Sequence, residues 1–311
     1  MVNAAAQAGI QGGKLSKSKM IVDRNYTAGA ALAIVGVVIS ALPSPISAAE
    51  HKKGRAMAPA SALSVQPGTL VRWSVPGTTR CRMRARSWAP IGDTCYFPID
   101  LEQKPGVVTV VRRGKSRSES ARIAVERRAY GTQPIELPDI PQANPSAADL
   151  KRNERERVLL AKIFAGKESA QRFDLPLGKP ANPLPLGKSF GVDRVFNGKP
   201  AVQPHTGSDY AVPAGAPVLA VADGTVVLAQ ELFYPGNAVF IDHGDGLISM
   251  YFHLSDIDVQ AGQEIQKGDS LGKVGTTGRS TGPHLFFGVR WHNARIDPRF
   301  LLEDPALIPA L

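Results

Sequence analysis

With 311 residues the chain can hold two modest domains with buried cores. Only two cysteines occur, Cys81 and Cys95, and neither a CxxC pair nor a Cys/His knuckle accompanies them, so cysteine-based metal or redox chemistry is excluded. The formal charge of +10 is unevenly placed, because residues 50–130 carry 16 Lys or Arg against 6 Asp or Glu.

Residues 1–49 read as a targeting segment. Lys14, Lys17, Lys19 and Arg24 precede the uncharged run 28–42, and small residues follow at Ser47-Ala48-Ala49. A signal peptide cleaved near Ala49 accounts for this order, and a start at Met20 would only shorten it. The alternative is a retained N-terminal anchor. It is disfavoured because the apolar run is shorter than the ~20 residues that span a bilayer and is followed by Pro43 and Pro45. Either way the chain is expected to be exported, to the periplasm or cell envelope. In that oxidising compartment Cys81 and Cys95, a short loop apart, are expected to pair as a disulfide, the alternative being two unpaired buried thiols. The basic surface would then meet anionic envelope polymers or phospholipid headgroups rather than nucleic acid, with an attraction that weakens in salt. A solvated basic face without a defined ligand is the plainer alternative.

Residues 50–130 give short alternating runs, 69–75, 106–111 and 121–125, between Pro and Gly turns. They predict a small β-sandwich-like module stapled by the disulfide. Pro134, Pro138, Pro141 and Pro145 then suggest a stiff, extended linker. Within the linking region 131–183, Ser146 with Asp149 resembles a capping box. The following Leu150, Val158, Ala161 and Phe164 predict an amphipathic connecting helix that stops at Gly166, packs on one neighbour and has no catalytic role. Residues 184–303 read as strand after strand with Gly turns, including 216–220, 224–228, 238–241 and 284–291, and residues 304–311 as a tail. The expected fold is therefore mainly β. A weak echo between residues 213–218 and 260–265 is also a mark of biotinyl and lipoyl carriers, but Lys267 and Lys273 lack the flanks of an attachment lysine.

The chemistry lies in the last domain. His205 and Asp209 bracket a Gly-containing turn, and imidazole plus carboxylate is a suitable donor set for Zn²⁺. Alone, such a pair is more often a hydrogen-bonded surface contact. His253 closes one apolar run and His284 opens another, placing two further histidines at strand ends where they could serve proton transfer and oxyanion stabilisation. Each alone could be a structural histidine.

Taken together, Phe190-Gly191-Val192-Asp193-Arg194, the HxxxD element His205–Asp209 with Tyr210, residues 213–218, Ala222-Asp223-Gly224, Asp242-His243-Gly244, Tyr251-x-His253-Leu254-Ser255, residues 262–268 and 275–282, and the His284 strand resemble the LytM/lysostaphin-type zinc peptidoglycan endopeptidases. The resemblance covers about a third of the chain and implies a β-sheet groove domain. It makes His205 and Asp209 zinc ligands and His253 and His284 catalytic groups beside the metal-bound water and the reacting carbonyl, with the peptide part of peptidoglycan as substrate. The family's third ligand is the second histidine of a terminal HxH, and here that position is Phe286. Residues two apart in a strand share a face about 6.6 Å apart, so Phe286 is expected to point into the groove, where it cannot ligate zinc. His292 lies six residues beyond Phe286, too far along a strand to replace it, and His243 belongs to a structural turn. Two readings follow. One is a zinc endopeptidase that tolerates the change, with His284 shifted onto the metal or water completing the shell. The other is a degenerate domain that binds peptidoglycan or regulates a partner hydrolase.

Overall fold

The computed structural model describes residues 63–166 and 169–311, which belong to one compact unit. The targeting segment expected over residues 1–49 lies outside the described residues. Among those described, no helix is long and apolar enough to cross a membrane.

The first module consists of β1 (Leu63–Val65), β2 (Leu70–Ser74), β3 (Thr78–Met83), β4 (Arg86–Trp88), β5 (Thr94–Pro98), β6 (Gly106–Gly114) and β7 (Ser118–Val125). Five of them form a sheet in the order β1-β7-β6-β3-β4, and β2 pairs with β5 in a separate ribbon. Alternation sets the inner face, since Val108 and Val110 of β6 are buried while Val107 is half exposed. Cys81 of β3 and Cys95 of β5 are bonded to each other, so the disulfide ties the sheet to the ribbon inside a core of Val71, Trp88, Phe97 and Ile123.

The segment expected to be a free linker is in fact paired. Its strand β8 (Thr132–Ile135) lies parallel to β9 (Asp193–Phe196), which pairs with β10 (Lys199–Pro200). Pro134 is tolerated because β8 is an edge strand. Just before it, Tyr130 packs edge-on to Phe190 at 5.6 Å and donates its hydroxyl proton to the carbonyl of Pro67 at 2.6 Å.

Helix α1 (Ala147–Phe164) starts at the expected capping box, with Ser146 and Asp149 each bonded to the other's backbone N–H. It packs on one neighbour, with part of the face expected. Leu150 and Val158 are half exposed. Phe164, joined by Leu160 and Ile163, meets Phe240, Phe252, Ile248 and Met250 of the large sheet. The first half of the helix is held by polar contacts: Arg152 pairs with Glu156 and Glu231, and Glu156 accepts the backbone N–H of Phe233.

The large sheet contains β11 (Ser208–Tyr210), β12 (Pro217–Leu219), β13 (Gly224–Leu232), β14 (Gly236–Asp242), β15 (Leu247–Ile257), β16 (Glu264–Ile265), β17 (Ser270–Val274), β18 (Leu285–Trp291) and β19 (Ala294–Ile296). Its central path is β11-β18-β15-β14-β13-β16. One face buries Val239, Tyr251, Leu285, Phe287 and Trp291, and residues 169–183, read as linker, add Phe173, Leu177 and Ala181 to that core. The other face carries Phe240, Met250, Phe252 and Phe286. Strand β18 is thus covered on both sides and is apolar almost throughout.

Module and sheet are joined by specific contacts. Arg295 of β19 pairs with Asp100 at 2.6 Å and Glu102 at 2.5 Å, and Arg86 donates to the carbonyl of His292 at 2.7 Å. Burial opposes ionisation of Asp100, but the Arg295 hydrogen bonds and charge outweigh it and hold the carboxyl below its ordinary range. After α2 (Arg299–Leu302), residues 304–311, read as a tail, fold back: Ile308 enters the sheet core, Leu311 packs on the module core, and Arg72 exchanges backbone hydrogen bonds with Pro309 and Leu311.

Candidate active site

His205 lies in the loop between β10 and β11, and Asp209 sits in β11, four residues on. Antiparallel pairing sets Asp209 opposite Phe286 of β18, and Phe286 in turn opposite Phe252 of β15. His253 follows Phe252 with φ +64°, a left-handed backbone that a non-glycine residue adopts at a cost, and its backbone N–H donates to Pro235 rather than along the ladder. His284 immediately precedes β18. The structure therefore brings together His205, Asp209, His253, His284 and Phe286 on one face of the sheet.

All three imidazoles are anchored in the same way. Nδ1 lies 3.0 Å from the Ser189 carbonyl in His205, 2.8 Å from that of Thr277 in His253, and 2.9 Å from that of Gly282 in His284. A carbonyl only accepts, so each Nδ1 is the protonated nitrogen and each Nε2 is left facing the site. His205 Nε2 and His284 Nε2 lie 3.4 and 3.5 Å from one atom, Asp209 Oδ1. The rings of His253 and His284 stand 4.8 Å apart.

Electrostatics differ from residue to residue. Burial pushes His205 and His253 down to about 4, and both are neutral at pH 7. Burial also opposes the charged form of His284, but the Asp209 carboxylate outweighs it and raises that histidine. Asp209 itself is held well below the usual carboxylate range: burial would raise it, and His284, His205 and Arg194 together prevail.

Zinc fits this donor set in two positions and not in the third. Asp209 Oδ1 is buried, and its nearest polar neighbours are the Nε2 atoms of His205 and His284 at 3.4 and 3.5 Å, too long for strong hydrogen bonds, so this oxygen and neutral His205 Nε2 suit a shared cation. Phe286, where the resemblance places a third ligand, is 4% exposed, stacked on Phe252 and edge-on to His205 at 5.1 Å, and offers no donor atom. Among the described residues no three His, Cys, Asp or Glu side chains form a group that could hold a metal ion. The other oxygen of Asp209 is occupied, accepting from Ser189 Oγ at 3.0 Å and from the Arg194 guanidinium.

Sequence reasoning gave no role to Arg194, Ser189 or Thr277. Arg194 stands in the quoted Phe190–Arg194 element, and its charge within a short strand was the available signal. Thr277 acts through its backbone, which no side-chain pattern reveals. His292 lies elsewhere, its ring 4.3 Å from that of Trp88 in the first module. His243 is fully buried, with Nδ1 2.7 Å from the Asp223 carbonyl and Nε2 2.7 Å from Ser249 Oγ.

An antiparallel sheet thus carries a His/Asp pair and two pinned histidines on one face. Residues 203–298 match the model of peptidase family M23. The crystal structure of a candidate M23 peptidase from Pseudomonas aeruginosa is 31% identical to the chain, covers 76% of it and 94% of its own length, and superposes with a TM-score of 0.57. The chain belongs to peptidase family M23. It is also 41% identical over 102 residues to the peptidoglycan DD-endopeptidase ShyA of Vibrio cholerae, covering 33% of this chain and 24% of that protein. With the DD-carboxypeptidase/endopeptidase Mpg of Neisseria meningitidis it shares 45% identity over 107 residues, 34% of this chain and 25% of that one. The match thus spans about a quarter of the length of these curated relatives.

Proposed function

We propose that the groove acts on the peptide cross-links of bacterial peptidoglycan as a metalloendopeptidase, in a cell-envelope compartment reached by export. One observation carries this reading: His205, Asp209, His253 and His284, from three separate segments, meet on a single sheet face. The relatives named for action on peptidoglycan support the substrate class. His205 Nε2 and Asp209 Oδ1 would hold zinc, which when bound polarises a peptide carbonyl and lowers the pKa of water. His253, kept neutral by burial, is suited to accept a proton at Nε2, and His284, raised by Asp209, to hold one. The basic first module would hold the protein near anionic envelope polymers or lipid headgroups.

Phe286 favours a second reading. A catalytic zinc normally has three protein ligands and an open position. A groove one ligand short would bind peptidoglycan, or regulate a partner hydrolase, without cutting.

Zinc content and release of uncross-linked fragments from purified sacculi, measured for the natural protein and for Phe286→His, decide between them. Stoichiometric zinc and release by the natural protein support the peptidase. Release by the variant alone supports the second reading, and absence of zinc from both overturns the ligand assignment.

A further inference from the structure

Arg279 lies in the loop between β17 and β18, flanked by two residues that touch the site histidines. The Thr277 carbonyl accepts from His253, and Ser280 Oγ lies 3.3 Å from His284 Nδ1. Its backbone N–H donates to the Tyr234 carbonyl at 2.8 Å. Its guanidinium carbon stands 4.0 Å from the ring centre of Phe196 in β9 and 4.4 Å from that of Tyr234 in the turn between β13 and β14. Two aromatic rings from different segments therefore grip one cation at the edge of the groove.

Among the described residues no carboxylate pairs with this guanidinium. Electrostatic support comes from Tyr234, one of the two rings, and is opposed by Arg194, a second cation already committed to Asp209. Partial burial draws Arg279 down to about 10, as expected of a cation with reduced access to water and no carboxylate partner. The two rings offset part of that cost by cation–π attraction, but their faces supply no acceptor for the guanidinium N–H donors. The arrangement makes sense when an anion completes it. The side chain is only partly covered, so its planar fork of N–H donors, matched to a carboxylate, is pre-oriented by the rings and open to a ligand.

We propose that Arg279 is a carboxylate-binding subsite of the groove, taking a free carboxylate of the peptide whose amide lies at His253 and His284. This rests on the peptidoglycan reading above. The carboxylate could be the peptide's C-terminus or one of its side chains.

The test uses the full natural protein, Arg279→Gln and Arg279→Lys, with soluble disaccharide-peptide fragments prepared from sacculi in three forms: free acid, C-terminal amide, and fully amidated. A charge-assisted hydrogen-bond pair predicts that calorimetry finds the free acid bound about 10- to 100-fold more tightly than the fully amidated form. Loss of affinity in the C-terminal amide assigns the C-terminus as the source, and loss only on full amidation assigns a side chain. Arg279→Gln should bind all three forms at the amidated level, and Arg279→Lys should keep part of the preference. Equal binding of the three forms by the natural protein, a comparison that needs no variant, overturns the subsite, as does a preference retained in Arg279→Gln. Pelleting with whole sacculi separates the two ideas. If the natural protein pellets but does not discriminate, only the subsite fails; if it neither pellets nor binds fragments, the peptidoglycan reading fails and the subsite with it.

Discussion

The rings of Phe286 and Phe252 lie face to face, with centroids 4.4 Å apart and planes 1° from parallel. Phe286 is thereby built into an aromatic row that continues through Phe240, 5.4 Å from Phe252, to Phe164 of α1, 6.2 Å from Phe240. Removing Phe286 should therefore cost stability as well as change metal affinity. Phe286→Ala is expected to lose about 3–5 kcal/mol, and Phe286→His less, because part of the ring volume remains. Urea unfolding of the metal-free proteins measures both. A loss below about 1 kcal/mol for Phe286→Ala would mean that the row is not a packing unit.

Gly207 permits that ring to sit where it does. A Cβ at position 207 would come 2.5 Å from Phe286 Cζ and 2.7 Å from the Phe287 carbonyl oxygen. Gly207→Ala should destabilise by about 1–3 kcal/mol. Combining it with Phe286→Leu should recover part of that loss, since one of the two clashes is with a side chain and the other with backbone. Strict additivity of the two changes in a double-mutant cycle would rule out the contact as the cause.

His243 provides a pH prediction away from the candidate ligands. Burial lowers it to about 4 in the folded protein, against an ordinary value of 6.5. The unfolded chain therefore binds the extra proton between those values. Stability from this residue is complete above pH 6.5 and is lost as pH falls toward 4, at about 1.4 kcal/mol per pH unit. Unfolding measured at pH 4.5, 5.5 and 7 should show a slope about one proton smaller in His243→Gln. An unchanged slope would show that His243 is not the group responsible.

Arg295→Ala leaves Asp100, in a half-covered position, without its partner. The loss of these charge-assisted bonds should cost about 1.5–3 kcal/mol, and Arg295→Lys should recover only part, because an ammonium cannot reproduce the fork that reaches both Asp100 and Glu102. Limited proteolysis is the second readout, with cleavage between module and sheet rising in the alanine variant. Equal resistance would place the coupling elsewhere, in Arg86 and the returning segment 304–311.

What the sequence made legible were features written within a few residues. His205 and Asp209 stand in one motif, the capping box of Ser146 and Asp149 is local, and the strand-end histidines are marked by apolar runs. The meeting of three segments became readable only through family resemblance, because cross-strand neighbours such as Asp209 and Phe286 are far apart in the chain. The helix face was only partly legible, for a physical reason: apolar residues occur around much of α1, and the position of the sheet selects Leu160 and Ile163 beside the expected Phe164 while leaving Leu150 and Val158 half exposed. The Pro-rich strand β8 was missed because its pairing is with distant β9, and Pro134 argued against a strand without excluding an edge.

The contacts of Arg295 and Arg86 across module and sheet have a mechanical consequence. Groove and module belong to one compact unit, and these few polar contacts set the offset between the two faces in this structure. An interface held by so small a number of charged groups is one whose angle a single substitution, or high salt, would release.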